Sequence, residues 1–208
     1  MVYPVNYSNN VFVNCPFDDS YNELFEAIIF TVRDCGFIAR CAKEEDDAGN
    51  VRIIKIMKII DECKYGIHDI SKADLDENTR LARFNMPLEL GLFLGAHKFA
   101  DNYNKEKRTL IMDIEPFRYR NFISDISGQD IKAHNLKKRN LIRNVRDFLL
   151  SSSQRLTIPG PDYISGRFER FINELPDICK RMRRERDRLT FLEYSTSVSE
   201  WIIENMIE

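Results

Sequence analysis

One carboxylate in this chain stands in unusual company. Glu89 lies inside the run MPLELGLFLG, with Leu88 before it and Leu90 and Gly91 after it. A glutamate near a helix start can simply face water and answer the positive end of the helix dipole. The same side chain, held in a cleft and partly stripped of water, can instead face an electron-poor carbon. Beside the anomeric carbon of a ribose it would stabilise the oxocarbenium-like transition state of glycosidic cleavage, or form a covalent intermediate. Spacing alone leaves both readings open.

The elements around Glu89 decide what it can meet. VFVNCPF, from Val11, is a β-branched and aromatic run that stops at Pro16, as a strand entering a loop does. In YNELFEAIIFTVRDCG the apolar positions Leu24, Phe25, Ile28, Ile29 and Val32 recur at helical spacing, and Gly36 follows as a stop. GFIARCA is a second strand, RIIKIMKIIDEC a second helix and KYGIHDIS a third strand. The loop from Lys72 to Met86 is long for a compact domain, and such loops are often functional. A helix with Pro87 in its first turn and the strand RTLIMDI complete the series by Ile114.

Alternating strands and helices predict a parallel sheet of four or five strands, covered on both faces. From Pro116 onward the pattern reads as helical, with helices near Leu136 to Leu150 and Asp162 to Leu175. The expected organisation is a loose leader over 1–10, an α/β domain over 11–150 and a helical extension over 151–208. SSSQRLTIPGP is the soft joint between the last two.

In an open parallel sheet, ligands bind beyond the carboxyl ends of the strands. That rim should carry Asn14, Cys15, Phe17 and Asp18 after the first strand. Arg40, Lys43, Glu44, Glu45, Asp46 and Asp47 follow the second, and His68, Asp69 and Ser71 the third. Glu89 should lie in the first turn of the next helix, on the same rim.

Composition limits the function classes. The 208 residues carry 31 basic and 33 acidic side chains, and this near balance argues against a protein that coats nucleic acid. They are 43% hydrophobic and 11% aromatic, enough to fill a core. No apolar run approaches the ~20 residues that span a bilayer. MVYPVNYSNN lacks the basic start and apolar stretch of a signal peptide, so a cytoplasmic location is expected. The five cysteines are scattered without a CxxC pair, as buried reduced thiols would be.

The run KYGIHDIS, a loop, then RFNMPLELGLFLGAHKF resembles the nucleoside 2-deoxyribosyltransferase-like branch of the flavodoxin-like folds, which is structurally close to bacterial TIR domains. In these families an acidic residue ends the third strand, and a catalytic glutamate opens the next helix in a pattern resembling E-[LI]-G. Asp69 and Glu89 match those positions, and Gly91 and Gly95 match the small positions that follow. The resemblance covers about Val11 to Ile114. It implies a flavodoxin-like or TIR-like fold and a catalytic pair of Glu89 and Asp69, the latter accepting hydrogen bonds from ribose hydroxyls. The implied substrate-binding set is Asn14, Cys15, Phe17, Asp18, Arg40, Arg83 and Asn85.

One position departs from the pattern. Deoxyribosyltransferases usually carry a second aspartate six residues before the glutamate, where this chain has Arg83. Its planar fork suits a phosphate. This favours hydrolysis of a nucleotide, NAD first, over base exchange between free nucleosides. NAD would be substrate and not cofactor, and the absence of GxGxxG after the first strand speaks against its redox use. TIR-like enzymes act in bacterial antiviral defence and are switched on by assembly or a signal. The expected partners are therefore a nucleotide, further copies of the chain and a regulatory protein, with no membrane and no nucleic acid. Two other readings stand beside this one. A nucleotide-sensing module would bind in the same rim without turnover. An assembly adaptor would have Glu89 on the surface with no pocket behind it.

Three other groupings could carry chemistry. Asp125, Asp130 and His134 lie in SDISGQDIKAH, where the four-residue spacing of the last two could share a helix face. A polar cap or assembly contact fits them better than a metal site, which lacks a fourth ligand. His68 should point to the opposite face of its strand from Asp69, as a satisfied buried histidine. Lys180 to Arg188, with six basic and two acidic residues, reads as a solvated helix face.

Overall fold

The structure, a computed structural model, describes residues 3–45, 47–73 and 82–206. Five strands, β1 (Asn10–Asn14), β2 (Ile38–Arg40), β3 (Tyr65–Asp69), β4 (Arg108–Asp113) and β5 (Lys132–Ala133), form one sheet in the order β2-β1-β3-β4-β5. Every pairing is parallel, with Val11 opposite Tyr65 and Tyr65 opposite Arg108. This is the flavodoxin-like strand order, whose reversal lies between β1 and β3. Both of those strands are buried along their whole length, as a sheet covered on both faces requires.

Helices α1 (Asn22–Asp34), α2 (Arg52–Asp61) and α3 (Asn85–Phe99) alternate with the strands, and α4 (Lys138–Ser153), α5 (Pro161–Arg181) and α6 (Phe191–Glu204) follow β5. Val11, Val13, Ile67 and Met112 face one side of the sheet, where α1, α4, α5 and α6 pack into one continuous core. Phe12 meets Ile56, Ile60 and Phe93 of α2 and α3 on the other side. The chain turns out of α1 at Gly36, whose φ of +80° a side chain would resist.

Several expectations need correction. Residues 1–10 are not a loose leader throughout, because Tyr7 is buried, donates from its hydroxyl to the Tyr103 carbonyl, and packs edge-on against that ring. The chain after Pro116 is not wholly helical, since β5 pairs with the end of β4, Met112 opposite Lys132. The helix expected to end near Leu175 continues through Pro176 and carries Ile178 and Cys179 into the core. The joint near residue 150 marks no separate core. Phe30 of α1 contacts Phe168 and Phe171 of α5 and Trp201 of α6 at centroid distances of 5.5, 5.4 and 5.9 Å. That contact buries α1 almost all round, where periodicity showed only one apolar face. The Lys180 to Arg188 stretch ends α5 and turns the chain toward α6, with Arg186 paired to Glu26 of α1 at 2.7 Å. All five cysteines are buried and unbridged. No helix among the described residues is long and apolar enough to cross a membrane.

Candidate functional site

At the point where the strand order reverses, Asn14 of β1 lies opposite His68 of β3. The Asn14 amide nitrogen is 3.0 Å from His68 Nδ1 and donates to the Met86 carbonyl at 2.8 Å, tying β1 to the first turn of α3. Because Nδ1 accepts that bond, the ring proton belongs on Nε2, which has no hydrogen-bond partner among the described residues. Burial, aided by the Lys107 charge, pushes the imidazole down to about 3, so His68 is neutral. Its ring packs against Phe93 at 5.0 Å, in space that a Cβ on Gly66 would invade at 2.6 Å from Nε2. His68 is buried as expected but only half satisfied.

Asp69 ends β3 and is fully buried. Its Oδ1 accepts from the Ser71 amide at 2.9 Å, and its Oδ2 accepts from the Tyr21 hydroxyl. His134 Nε2 approaches the same Oδ2 at 3.0 Å, as a close polar contact without the alignment of a hydrogen bond. His134 Nδ1 accepts from the Leu136 amide at 3.1 Å, which again assigns the proton to Nε2. Burial, reinforced by the Asp69 charge, keeps the Tyr21 phenol protonated. One register step away, Asp113 ends β4 and receives Arg118 at 2.6 Å, while its Oδ2 and the nearby Ser71 Oγ are buried without hydrogen-bond partners among the described residues. Burial raises the Asp113 carboxyl, with Arg118 pulling the other way.

Asp69 is thus enclosed by the protein's own groups and presents no free oxygen to a ribose hydroxyl. The expected helix face shared by Asp130 and His134 does not exist. Asp130 is exposed and paired with Lys132, Asp125 is exposed, and His134 turns inward at the end of β5. Among the described residues no group of three or more His, Cys, Asp or Glu could hold a metal ion.

Glu89 sits in the fifth position of α3, one turn deeper than the first-turn placement expected, because the helix begins at Asn85 rather than at Pro87. Buried Met86 and Leu90 flank it along the helix, and the residue is 6% exposed. It has no hydrogen bond or ion pair among the described residues. Loss of water raises its carboxyl to about 7, although the charge of Arg52 opposes the rise. The carboxyl therefore exchanges its proton near neutrality.

The other expected contacts divide. Cys15 is buried, and burial with the Asp69 charge holds its thiol well above the ordinary range, so it is a poor nucleophile. Phe17 is half-buried against Phe25, with the Lys43 ammonium 4.7 Å from its ring centroid. Arg40 is committed elsewhere, to Glu44 at 2.6 Å and Glu62 at 3.0 Å. Arg83 is exposed and only loosely paired with Asp18 at 3.7 Å, and Asn85 is exposed at the start of α3. Asp46 and residues 74–81 of the long loop lie outside the described residues.

Sequence reasoning missed Tyr21, and it placed His134 in a polar cap or assembly contact rather than against Asp69. Each acquires its place only when the sheet brings it to Asp69. It also missed a cavity of about 1100 Å³ beyond the carboxyl ends of β1 and β2. Phe17, Lys43 and Arg52 line one side, and Arg186, Thr190 and Phe191 from the C-terminal helices line the other. No protein-family model, curated protein or solved structure matches this chain.

Proposed function

We propose that this protein cleaves the N-glycosidic bond of a nucleotide, with NAD the first candidate and Glu89 the carboxylate that faces the anomeric carbon. One observation carries the reading. Glu89 is a buried carboxyl without a partner among the described residues, on the rim where an open parallel sheet binds ligands. A group with this ionisation is costly to maintain and has no structural task here. Ionised, it would act as nucleophile or as stabiliser of positive charge on the sugar. A cationic leaving base such as nicotinamidium would draw it toward that form, since an opposite charge nearby favours the carboxylate.

In this reading Asp69 is a positioning residue that holds Tyr21 and His134 and does not touch the sugar. Arg83, exposed and weakly paired, is free to exchange Asp18 for a phosphate. The test is incubation with NAD and a nucleotide mixture, read by mass spectrometry for released bases. Base release that is lost in Glu89→Gln supports the assignment, and undiminished release in that variant removes it.

One observation favours a second reading. Glu89 is not among the residues that line the large cavity, as would suit a sensing module that binds a nucleotide without cleaving it. Saturable heat of binding without released base would select that alternative.

A further inference from the structure

The large cavity is built from two parts of the chain that are far apart in sequence. The loops after β1 and β2 and the start of α2 form one wall, and the segment from Arg186 to Tyr194 forms the other. Its size is that of a small-molecule site, and its position follows the rule for open parallel sheets.

The charges around it are unequally engaged. Glu26 is matched by Arg186 at 2.7 Å, Glu44 by Arg40 at 2.6 Å and Glu23 by Lys138 at 2.9 Å. Asp19, Glu45 and Asp187 are exposed to water, which screens them. By contrast, Lys43 and Arg52 have no anionic partner within ion-pair distance among the described residues. The Lys43 ammonium instead rests 4.7 and 5.4 Å from the ring centroids of Phe17 and Phe25. Arg52 opens α2, whose first turn has no acidic residue and no side-chain cap, so the positive end of that helix adds to its charge. Two unpaired cations, Lys43 beside aromatic rings and Arg52 at a helix start, suit a ligand that joins an anion to a flat ring.

We infer that this cavity binds a nucleoside phosphate, its phosphates on Lys43 and Arg52 and its base against Phe17, with the C-terminal segment closing the far side. This is a binding claim and does not require that Glu89 cleave anything. The wall from Arg186 to Phe191 gives the segment that leads into α6 a function beyond covering α1.

The probe is ADP, titrated into the full-length protein by calorimetry and by amide NMR, with adenosine and inorganic diphosphate as partial ligands. ADP should shift amides on both walls, those of Lys43 and Thr190 among them, and bind more tightly than either partial ligand. Lys43→Gln and Arg52→Gln should each weaken it by about tenfold, a loss of about 1.4 kcal/mol. Both side chains are exposed, so these variants should fold. Calorimetry and amide shifts read binding, and the base-release assay reads cleavage, so this proposal and the cleavage reading can fail separately. No amide shift on the cavity walls at millimolar ADP would overturn the inference, as would unchanged affinity in the Lys43→Gln, Arg52→Gln double variant. Diphosphate binding as tightly as ADP would overturn the assignment of the base.

Discussion

His134 reaches back from the end of β5 to place Nε2 3.0 Å from Oδ2 of Asp69 at the end of β3, and neither side chain is exposed. The two strands are not neighbours, since β4 lies between them. The contact therefore crosses over a strand end and clamps three carboxyl termini into one rim. Tyr21 joins from the segment after β1, adding a fourth.

That clamp should be costly to break. Asp69→Ala strands a buried imidazole and a buried phenol, and the expected loss is about 3–5 kcal/mol in urea unfolding. His134→Ala should cost less, about 2–3 kcal/mol, because Tyr21 and the Ser71 amide still engage the carboxylate. A His134 variant as stable as the parent would show that the contact is incidental.

Glu89 should make stability depend on pH in a particular direction. Its carboxyl is raised from the ordinary value of 4.5 to about 7 in the folded protein. Between those values the native state holds a proton that the unfolded chain has released, so this contribution to stability falls as pH rises from 4.5 to 7. Glu89→Gln should therefore be more stable than the parent at pH 8, by roughly 1–3 kcal/mol, with little difference at pH 4. Paired denaturation curves at the two pH values decide it. If Glu89 is also the reacting carboxylate, base release should decline as pH falls below about 7.

Lys107 should show the opposite slope. Its ammonium is buried, donates to the Ile60 carbonyl at 2.6 Å and to the Cys63 carbonyl, and lies 4.6 Å from the Phe93 ring centroid. Burial lowers it from 10.5 to about 8, so between these values the unfolded chain binds the extra proton. Stability from this group rises with pH across that window. Relative to Lys107→Met, the parent should gain roughly 2 kcal/mol between pH 8 and pH 10.5. A difference that stays flat across the window would show that Lys107 keeps its ordinary ionisation.

Gly66→Ala tests the packing beneath the rim. The added methyl would meet His68 Nε2 at 2.6 Å and the Phe93 ring at 2.7 Å, and neither ring has room to retreat inside a sheet covered on both faces. The expected cost is about 2–3 kcal/mol, read as a lowered midpoint of thermal unfolding. A neutral effect would mean that Phe93 shifts freely.

Strands β1 to β4 were legible because each is a short apolar run bounded by polar or breaking residues, and the parallel order followed from the intervening helices. Lys132 and Ala133 were not, since two residues without an apolar run become a strand only by pairing with Met112 and Asp113. Glu89 was legible through its apolar neighbours, which later deny it water. His134 was misread because its direction depends on Asn135 and Leu136, two successive residues with φ of 52° and 53° that no local pattern announces. Asp69 was legible as the acidic end of β3, but the groups that enclose it were not, because they come from distant segments. The full burial of α1 was hidden for the same reason, its Phe30 contacts lying more than a hundred residues ahead.

Synthesis from the N-terminus gives that distance a temporal meaning. The sheet strands and α1 leave the ribosome long before Phe168, Phe171 and Trp201, so the aromatic flank of α1 stays uncovered until α6 is made. Nascent chains should then be sticky and receptive to chaperones until α6 has been made. The cavity, lacking its second wall, should be incapable of holding a ligand for just as long.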